Sequence, residues 1–220
     1  MKKFVAVAGN IGVGKSTLVK EICERLNWMP YFEPVAENPY LEDFYEDMNA
    51  WAYHSQVFFL THRLRSHKDL LDVPASVVQD RSMYEDAEIF ARNLYLQGHI
   101  SDRDFATYRG LVGLLAEMLR PPDLVVYIQA SVPTLVERIK RRGRDFEANI
   151  SEEYLGQLNK LYESWISSFD LSPVLVVPGD LMDYVTHPGE MDLIVEKMQD
   201  KLAGKENVAF SKEEIEKCKK

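Results

Sequence analysis

Five short stretches rich in β-branched and aromatic residues punctuate the chain: Phe4–Ala8, Met29–Phe32, Ser76–Gln79, Leu124–Gln129 and Val174–Val177. Four of them are nearly unbroken apolar runs, the pattern of strands buried on both faces. Between them, apolar positions recur at helical spacing through Lys15–Leu26, Trp51–Leu71, Met83–Gln97, Asp102–Arg120, Pro133–Arg142, Ser151–Ser168 and Gly189–Leu202. Pro133 suits a helix's first turn, with Ser131 ahead of it in a capping position. Strands alternating with helices predict an α/β fold: a five-stranded parallel sheet with right-handed crossovers and helices on both faces. Ligands bind such sheets beyond the carboxyl ends of the strands. Chemistry is therefore expected in the residues that follow each strand.

The first strand runs into Gly9-Asn10-Ile11-Gly12-Val13-Gly14-Lys15-Ser16-Thr17, which matches G-x-x-x-x-G-K-[ST] between a strand and a helix. Glycines let the backbone wrap a phosphate without a Cβ in the way. The successive N–H groups and the helix N-terminus then face the anion. Lys15 is expected to reach the outer phosphates of ATP, and the Ser16 hydroxyl to ligate Mg²⁺. The fold is thus read as P-loop NTPase-type. A GTPase would need a guanine-selecting N-K-x-D, and Asn159-Lys160-Leu161-Tyr162 breaks it at the fourth position. A motor ATPase would carry an acidic run closing an apolar strand, where this chain has Gln79-Asp80-Arg81.

The second strand is followed by Glu33-Pro34-Val35, a carboxylate placed to act as general base on a hydroxyl, or an ordinary loop glutamate. Asp80-Arg81-Ser82 follows the third. Asp80 could hold Mg²⁺, and Arg81 could screen developing phosphoryl charge. Asp80 or Ser82 could equally cap the next helix. The helix after the fourth strand ends in Arg138-Ile139-Lys140-Arg141-Arg142-Gly143-Arg144, five cations in seven residues. An arginine-rich lid over a triphosphate accounts for that concentration; a solvated helix end or a nucleic-acid patch are the alternatives. The formal net charge of the whole chain is −9, which speaks against nucleic acid or an anionic membrane as partner. The two cysteines, Cys23 and Cys218, make neither a disulfide framework nor a zinc site. With no signal-peptide pattern and no long apolar run, the chain reads as cytoplasmic. Residues 1–204 form the expected domain, with the lid at about 138–149. The charge-rich tail 205–220 is either a short helix or disordered.

These motifs, in this order, resemble the deoxyribonucleoside kinase family, over about residues 3–185. The resemblance rests on the glycine loop with Lys15, on Glu33-Pro34-Val35, on the helix around Gln56, on Asp80-Arg81-Ser82 with Asp86, and on Arg138, Arg142 and Arg144. It implies ATP-dependent phosphorylation of a deoxynucleoside 5′-hydroxyl, with Mg²⁺ and a homodimer. It also implies roles at the matching positions. Glu33 would activate the hydroxyl, with Arg81 beside it. Gln56, Arg63 and Asp86 would read the base. Tyr45 and Glu147 would hold the 3′-hydroxyl. Arg138, Arg142 and Arg144 would be the lid cations. Family members often carry Glu-Arg-Ser where Asp80-Arg81-Ser82 stands, and some carry a smaller residue in place of Phe59. The Arg63 and Asp86 pair, with Glu37-Asn38-Pro39-Tyr40-Leu41, resembles the purine-leaning bacterial branch. Deoxyadenosine or deoxyguanosine is therefore the expected substrate, with deoxycytidine a further one. Pro178-Gly179-Asp180-Leu181 corresponds to a segment against the donor adenine, or is a simple turn.

Rival readings are a nucleoside monophosphate kinase of the thymidylate type, whose acceptor phosphate Glu33 would repel, and a nucleotide-binding regulatory subunit without turnover.

Overall fold

The computed structural model describes residues 2–32, 38–144 and 150–219. The strands β1 (Phe4–Gly9), β2 (Met29–Tyr31), β3 (Val77–Asp80), β4 (Leu124–Gln129) and β5 (Val174–Pro178) form one sheet in the order β2-β3-β1-β4-β5. Every pairing is parallel. All of β1 and β3 is buried, as their apolar runs require. Along β4 the side chains alternate between two cores. Leu124, Val126 and Ile128 enter one with Leu18, Ile22 and Ile194; Val125 and Tyr127 enter the other with Leu60, Ile89 and Leu158. Fully burying a leucine or isoleucine such as Leu18 or Ile22 stabilises by roughly 1.5–3 kcal/mol.

The helices are α1 (Lys15–Leu26), α2 (Leu41–Glu46), α3 (Met48–Asp72), α4 (Met83–Glu85), α5 (Arg92–Leu96), α6 (Asp102–Met118), α7 (Val132–Arg142), α8 (Glu152–Ser168), α9 (Pro188–Leu202) and α10 (Lys212–Cys218). Their starts follow local chemistry. Asp47 caps α3 by accepting from the amides of Asn49 and Ala50 at 3.0 and 3.2 Å, and Ser101 and Ser151 cap α6 and α8 in the same way. Ser131 departs from the expected cap. It occupies the position before α7, but its hydroxyl donates to Asp180 Oδ1 at 3.0 Å and no backbone amide reaches it. Between α4 and α5 the chain runs through a π-helical turn, Asp86–Ala91, where the apolar spacing predicts one regular helix. In the tail, α10 opens on a Ser211–Glu214 capping box and buries Ile215 against the first core.

β1 is central, with β3 on one side and β4 on the other, so consecutive crossovers leave it in opposite directions. The crevice at its carboxyl end is the topological switch point.

Candidate active site

The loop leaving β1 is built from backbone that side chains would obstruct. Gly9, Gly12 and Gly14 have φ of 148°, 81° and 105°. A Cβ on Gly14 would lie 2.6 Å from the Tyr184 hydroxyl oxygen, and one on Gly12 2.5 Å from Ile139 Cγ1. Lys15, 8% exposed, turns back over the loop and donates to the carbonyls of Gly9 and Asn10 at 2.7 and 3.0 Å. Asn10 fixes the loop to α8, donating to Leu155 O and to Asn159 Oδ1. Tyr184 fixes it from the β5 side by donating to the carbonyl of Gly14 at 3.1 Å.

The Ser16 hydroxyl donates to Asp80 Oδ2 at 2.6 Å, joining α1 to the end of β3. Asp80 Oδ1 is buried without a hydrogen-bond partner among the described residues. A hydroxyl beside a carboxylate with an unsatisfied oxygen is a donor set that fits Mg²⁺. Of the two residues that could cap the next helix, Ser82 does so, accepting from the Glu85 amide at 3.4 Å.

Arg81 stands between these groups with φ of 71°, a left-handed conformation uncommon for a residue with a long side chain. Its guanidinium carbon lies 4.2 Å over the Phe90 ring, and its Nε is 3.4 Å from Glu85 Oε1. Glu85 is wholly buried. The same oxygen faces the Tyr162 hydroxyl and the Gly9 amide. Burial pushes its carboxyl up to about 7, against the opposing pull of Arg81 and Lys15.

The expected base-reading residues come together in the interior. Gln56 and Arg63 lie on the buried face of α3 with Ser55, Leu60 and His67. This is the face toward the protein, not an exposed polar stripe. Arg63 pairs with Asp86 through two contacts, Nε–Oδ2 at 3.0 Å and Nη2–Oδ1 at 3.3 Å, and its Nη1 donates to the Asp80 carbonyl at 2.9 Å. Asn38 donates to Ser55 at 2.9 Å, tying the segment before α2 to this face. Tyr45, at the end of α2, is half exposed with its ring against Phe44, and Phe59 sits edge-on to Phe58. Glu33 and Glu147 lie outside the described residues, as does the lid beyond Arg144.

A cavity of about 310 Å³ opens over the glycine loop. It is bounded by Gly12–Thr17, by Arg138, Arg141, Arg142 and Arg144, and by Asp183, Tyr184 and Val185. Arg138 spends its guanidinium on carbonyls: Nη1 donates to Val13 at 2.8 Å, and Nη2 to Gly179 at 2.7 Å and Met182 at 3.2 Å. It braces the loop to the segment after β5. That segment opens as a turn, with Leu181 N donating to Pro178 O at 3.0 Å, and the residues that reach the cavity come just after it. Asp183, Tyr184, Val185 and Glu85 carry no motif, Tyr162 figures in sequence only where it breaks the guanine motif, and Arg141 figures only within the basic run. The basic run around Arg141 is the one signal among them.

The deoxynucleoside kinase family model matches residues 5–203. A deoxyadenosine/deoxycytidine kinase from Bacillus subtilis is 36% identical over 197 residues, covering 89% of this chain and 91% of that protein. A deoxyguanosine kinase from Lactobacillus acidophilus is 34% identical over 206 residues, covering 90% of each. Among solved structures, a deoxyadenosine kinase from M. mycoides with bound dATP superposes with a TM-score of 0.78 at 32% identity, over 90% of this chain and 99% of that one.

Proposed function

The chain belongs to the deoxynucleoside kinase family, and from that premise we propose that it transfers the γ-phosphoryl of ATP to the 5′-hydroxyl of deoxyadenosine or deoxyguanosine, with deoxycytidine a further substrate. The observation that carries the base preference is the buried Arg63–Asp86 pair on the same side of α3 as Gln56. Together these offer a base edge both donors and acceptors. A site that pairs its buried polar groups with one base edge rejects an edge that leaves them unpaired. The relatives support the reading, being named for deoxyadenosine, deoxycytidine and deoxyguanosine.

In the proposed mechanism Glu33 accepts the proton of the attacking hydroxyl. Lys15 leaves its two loop carbonyls for the outer phosphates, and the loop amides and Arg81 stabilise charge spreading over the phosphoryl oxygens. Ser16 and Asp80 would hold Mg²⁺, which when bound neutralises charge on the phosphate oxygens. Arg142 and Arg144 close the cavity from the lid side, while Arg138 keeps the loop in register. Tyr45 and Glu147 hold the 3′-hydroxyl.

We further propose a homodimer in the cytoplasm. Leu111, Leu114 and Met118 on α6 are 43%, 62% and 80% exposed, an apolar stripe suited to a helix–helix interface. None of the described helices is long and apolar enough to cross a membrane.

Steady-state kinetics with the four deoxynucleosides tests the proposal. The expected result is the highest kcat/KM for a deoxypurine and the lowest for thymidine. A preference for thymidine would overturn the base assignment, and no turnover of any nucleoside would overturn the activity.

A further inference from the structure

The family match ends at residue 203, yet the chain beyond it is built onto the domain. Val208, Phe210, Ile215 and Cys218 pack against the first core. The Lys197 ammonium on α9 donates to Glu214 Oε1 at 2.5 Å. At the far end of α10 the two helices meet closely: a Cβ added at Gly189, in the first turn of α9, would lie 2.9 Å from the Cys218 carbonyl oxygen. That approach sets Lys219 over the segment that follows β5. Its Nζ donates to the Leu181 carbonyl at 3.0 Å and stands 3.7 Å from Glu190 Oε1.

Glu190 is wholly buried in the first turn of α9, and the proposed mechanism leaves it without a task. Its Oε2 accepts from the Asp183 amide at 2.5 Å, and its Oε1 is buried without a hydrogen-bond partner among the described residues. A carboxylate so placed is costly unless a cation stands near it, and Lys219 is the cation that α10 brings. The backbone these two residues hold, Leu181 O and Asp183 N, leads into Asp183, Tyr184 and Val185, one wall of the cavity over the glycine loop. From the cavity side Tyr184 donates to the Gly14 carbonyl, and Arg138 on α7 donates to the Met182 carbonyl. The segment 181–185 is therefore pinned from two sides, by the loop and α7 on one and by α9 and α10 on the other.

We propose that Glu190 and Lys219 are positioning residues for the ATP side of the cavity, with α10 as the clasp that carries Lys219 to its place. The ammonium joins the Leu181 carbonyl to the carboxylate that holds the Asp183 amide. Without it, Leu181 loses a donor and Glu190 turns toward water, drawing on the Asp183 amide and on the Tyr184–Gly14 contact beyond. The Lys219 side chain is 43% exposed, so its charge is partly screened and the hold is a modest one. Gln56, Arg63 and Asp86 stand on α3 and the π-helical turn, outside the clasp, so the effect falls on ATP and spares the nucleoside.

The proposal rests on the kinase reading, and a wild-type protein without kinase activity overturns that reading instead. Given activity, initial velocities are measured against ATP at saturating deoxynucleoside and against deoxynucleoside at saturating ATP. Lys219→Met should raise the KM for ATP roughly 3–10-fold, the worth of one hydrogen bond, and leave kcat and the deoxynucleoside KM within about twofold. Lys219→Arg keeps a cation and should restore the ATP KM. Lys217→Met removes an exposed charge from the same helix and should leave it at the wild-type value. Gly189→Ala puts a methyl group against Cys218, displaces Lys219 with it, and should reproduce the ATP effect. If either Lys219→Met or Gly189→Ala fails to fold, the other decides. An unchanged ATP KM in the folded variants, an equal rise in both KM values, or the same rise in Lys217→Met would overturn the assignment.

Discussion

The Ser16 hydroxyl donates to Asp80 at 2.6 Å, a hydrogen bond that joins the start of the first helix to the end of the third strand across a separation of 64 residues. The pair supplies the proposed Mg²⁺ site with donors from two elements that the fold brings together. Asp80→Asn keeps the shape and removes the charge. We expect kcat to fall by roughly 10²-fold or more, as for loss of a major electrostatic contact in phosphoryl transfer, with a higher Mg²⁺ concentration needed for half-maximal rate. Magnesium titrations of the initial velocity check this, and an unchanged half-saturation would refute it.

Glu33 lies outside the described residues, so its role is tested by chemistry alone. Glu33→Gln should lower kcat by roughly 10²-fold, within the range for a general base. Nucleoside affinity by calorimetry should stay within a few fold. Near-normal turnover would remove Glu33 from the mechanism.

Arg63 and Asp86, each about 4% exposed, make a buried ion pair. Removing one partner strands the other's charge. Asp86→Ala should cost about 3–5 kcal/mol of stability by chemical denaturation. The paired change Arg63→Met with Asp86→Leu should recover most of that and yet not recover base discrimination. Such a split would show that the pair is kept for recognition; equal losses in the single and double variants would argue the reverse.

Gly14 and Gly98 share positive φ but not surroundings. Alanine at Gly98 meets nothing within 4 Å, so only the backbone strain of about 1 kcal/mol is expected. Alanine at Gly14 must also displace the Tyr184 hydroxyl, 2.6 Å away, which holds the loop. The KM for ATP should rise at least tenfold in Gly14→Ala and stay unchanged in Gly98→Ala.

Burial raises Glu85 from a usual carboxylate value to about 7. The folded chain therefore binds this proton more tightly than the unfolded one. The resulting stability is fully present below the unfolded value of about 4.3 and is lost as pH rises through 7, on the order of 3 kcal/mol in all. Denaturant midpoints for Glu85→Gln should lose this component of the pH dependence, and curves parallel to wild type would contradict it.

The glycine loop and Asp80-Arg81-Ser82 were legible because their pattern is local: a phosphate loop needs consecutive residues of special conformation, and each group sits where its strand stops. The parallel sheet followed from apolar runs for the same reason. What escaped was assembled across long separations. Tyr162 and Glu85 are 77 residues apart, and Tyr184 and Gly14 are 170 apart. Either tyrosine reads as ordinary core until the fold sets its hydroxyl against the loop. The π-helical turn at Asp86–Ala91 was invisible because its apolar spacing satisfies a regular helix over so short a span. Asn159 belongs in sequence only to a broken guanine motif, and its contact with Asn10 in the loop shows what it does instead.

Arg63 grips the Asp86 carboxylate with one side of its guanidinium and the backbone carbonyl of Asp80 with another. The residue proposed to read the nucleobase is thus one hydrogen bond from the residue proposed to hold the metal. Under that proposal, an ill-fitting base that drags on Arg63 would disturb the alignment of the reacting end as well as its own seat. The penalty for a wrong nucleoside is accordingly expected in turnover as much as in occupancy, a form of kinetic proofing of the acceptor that needs no moving part beyond one arginine.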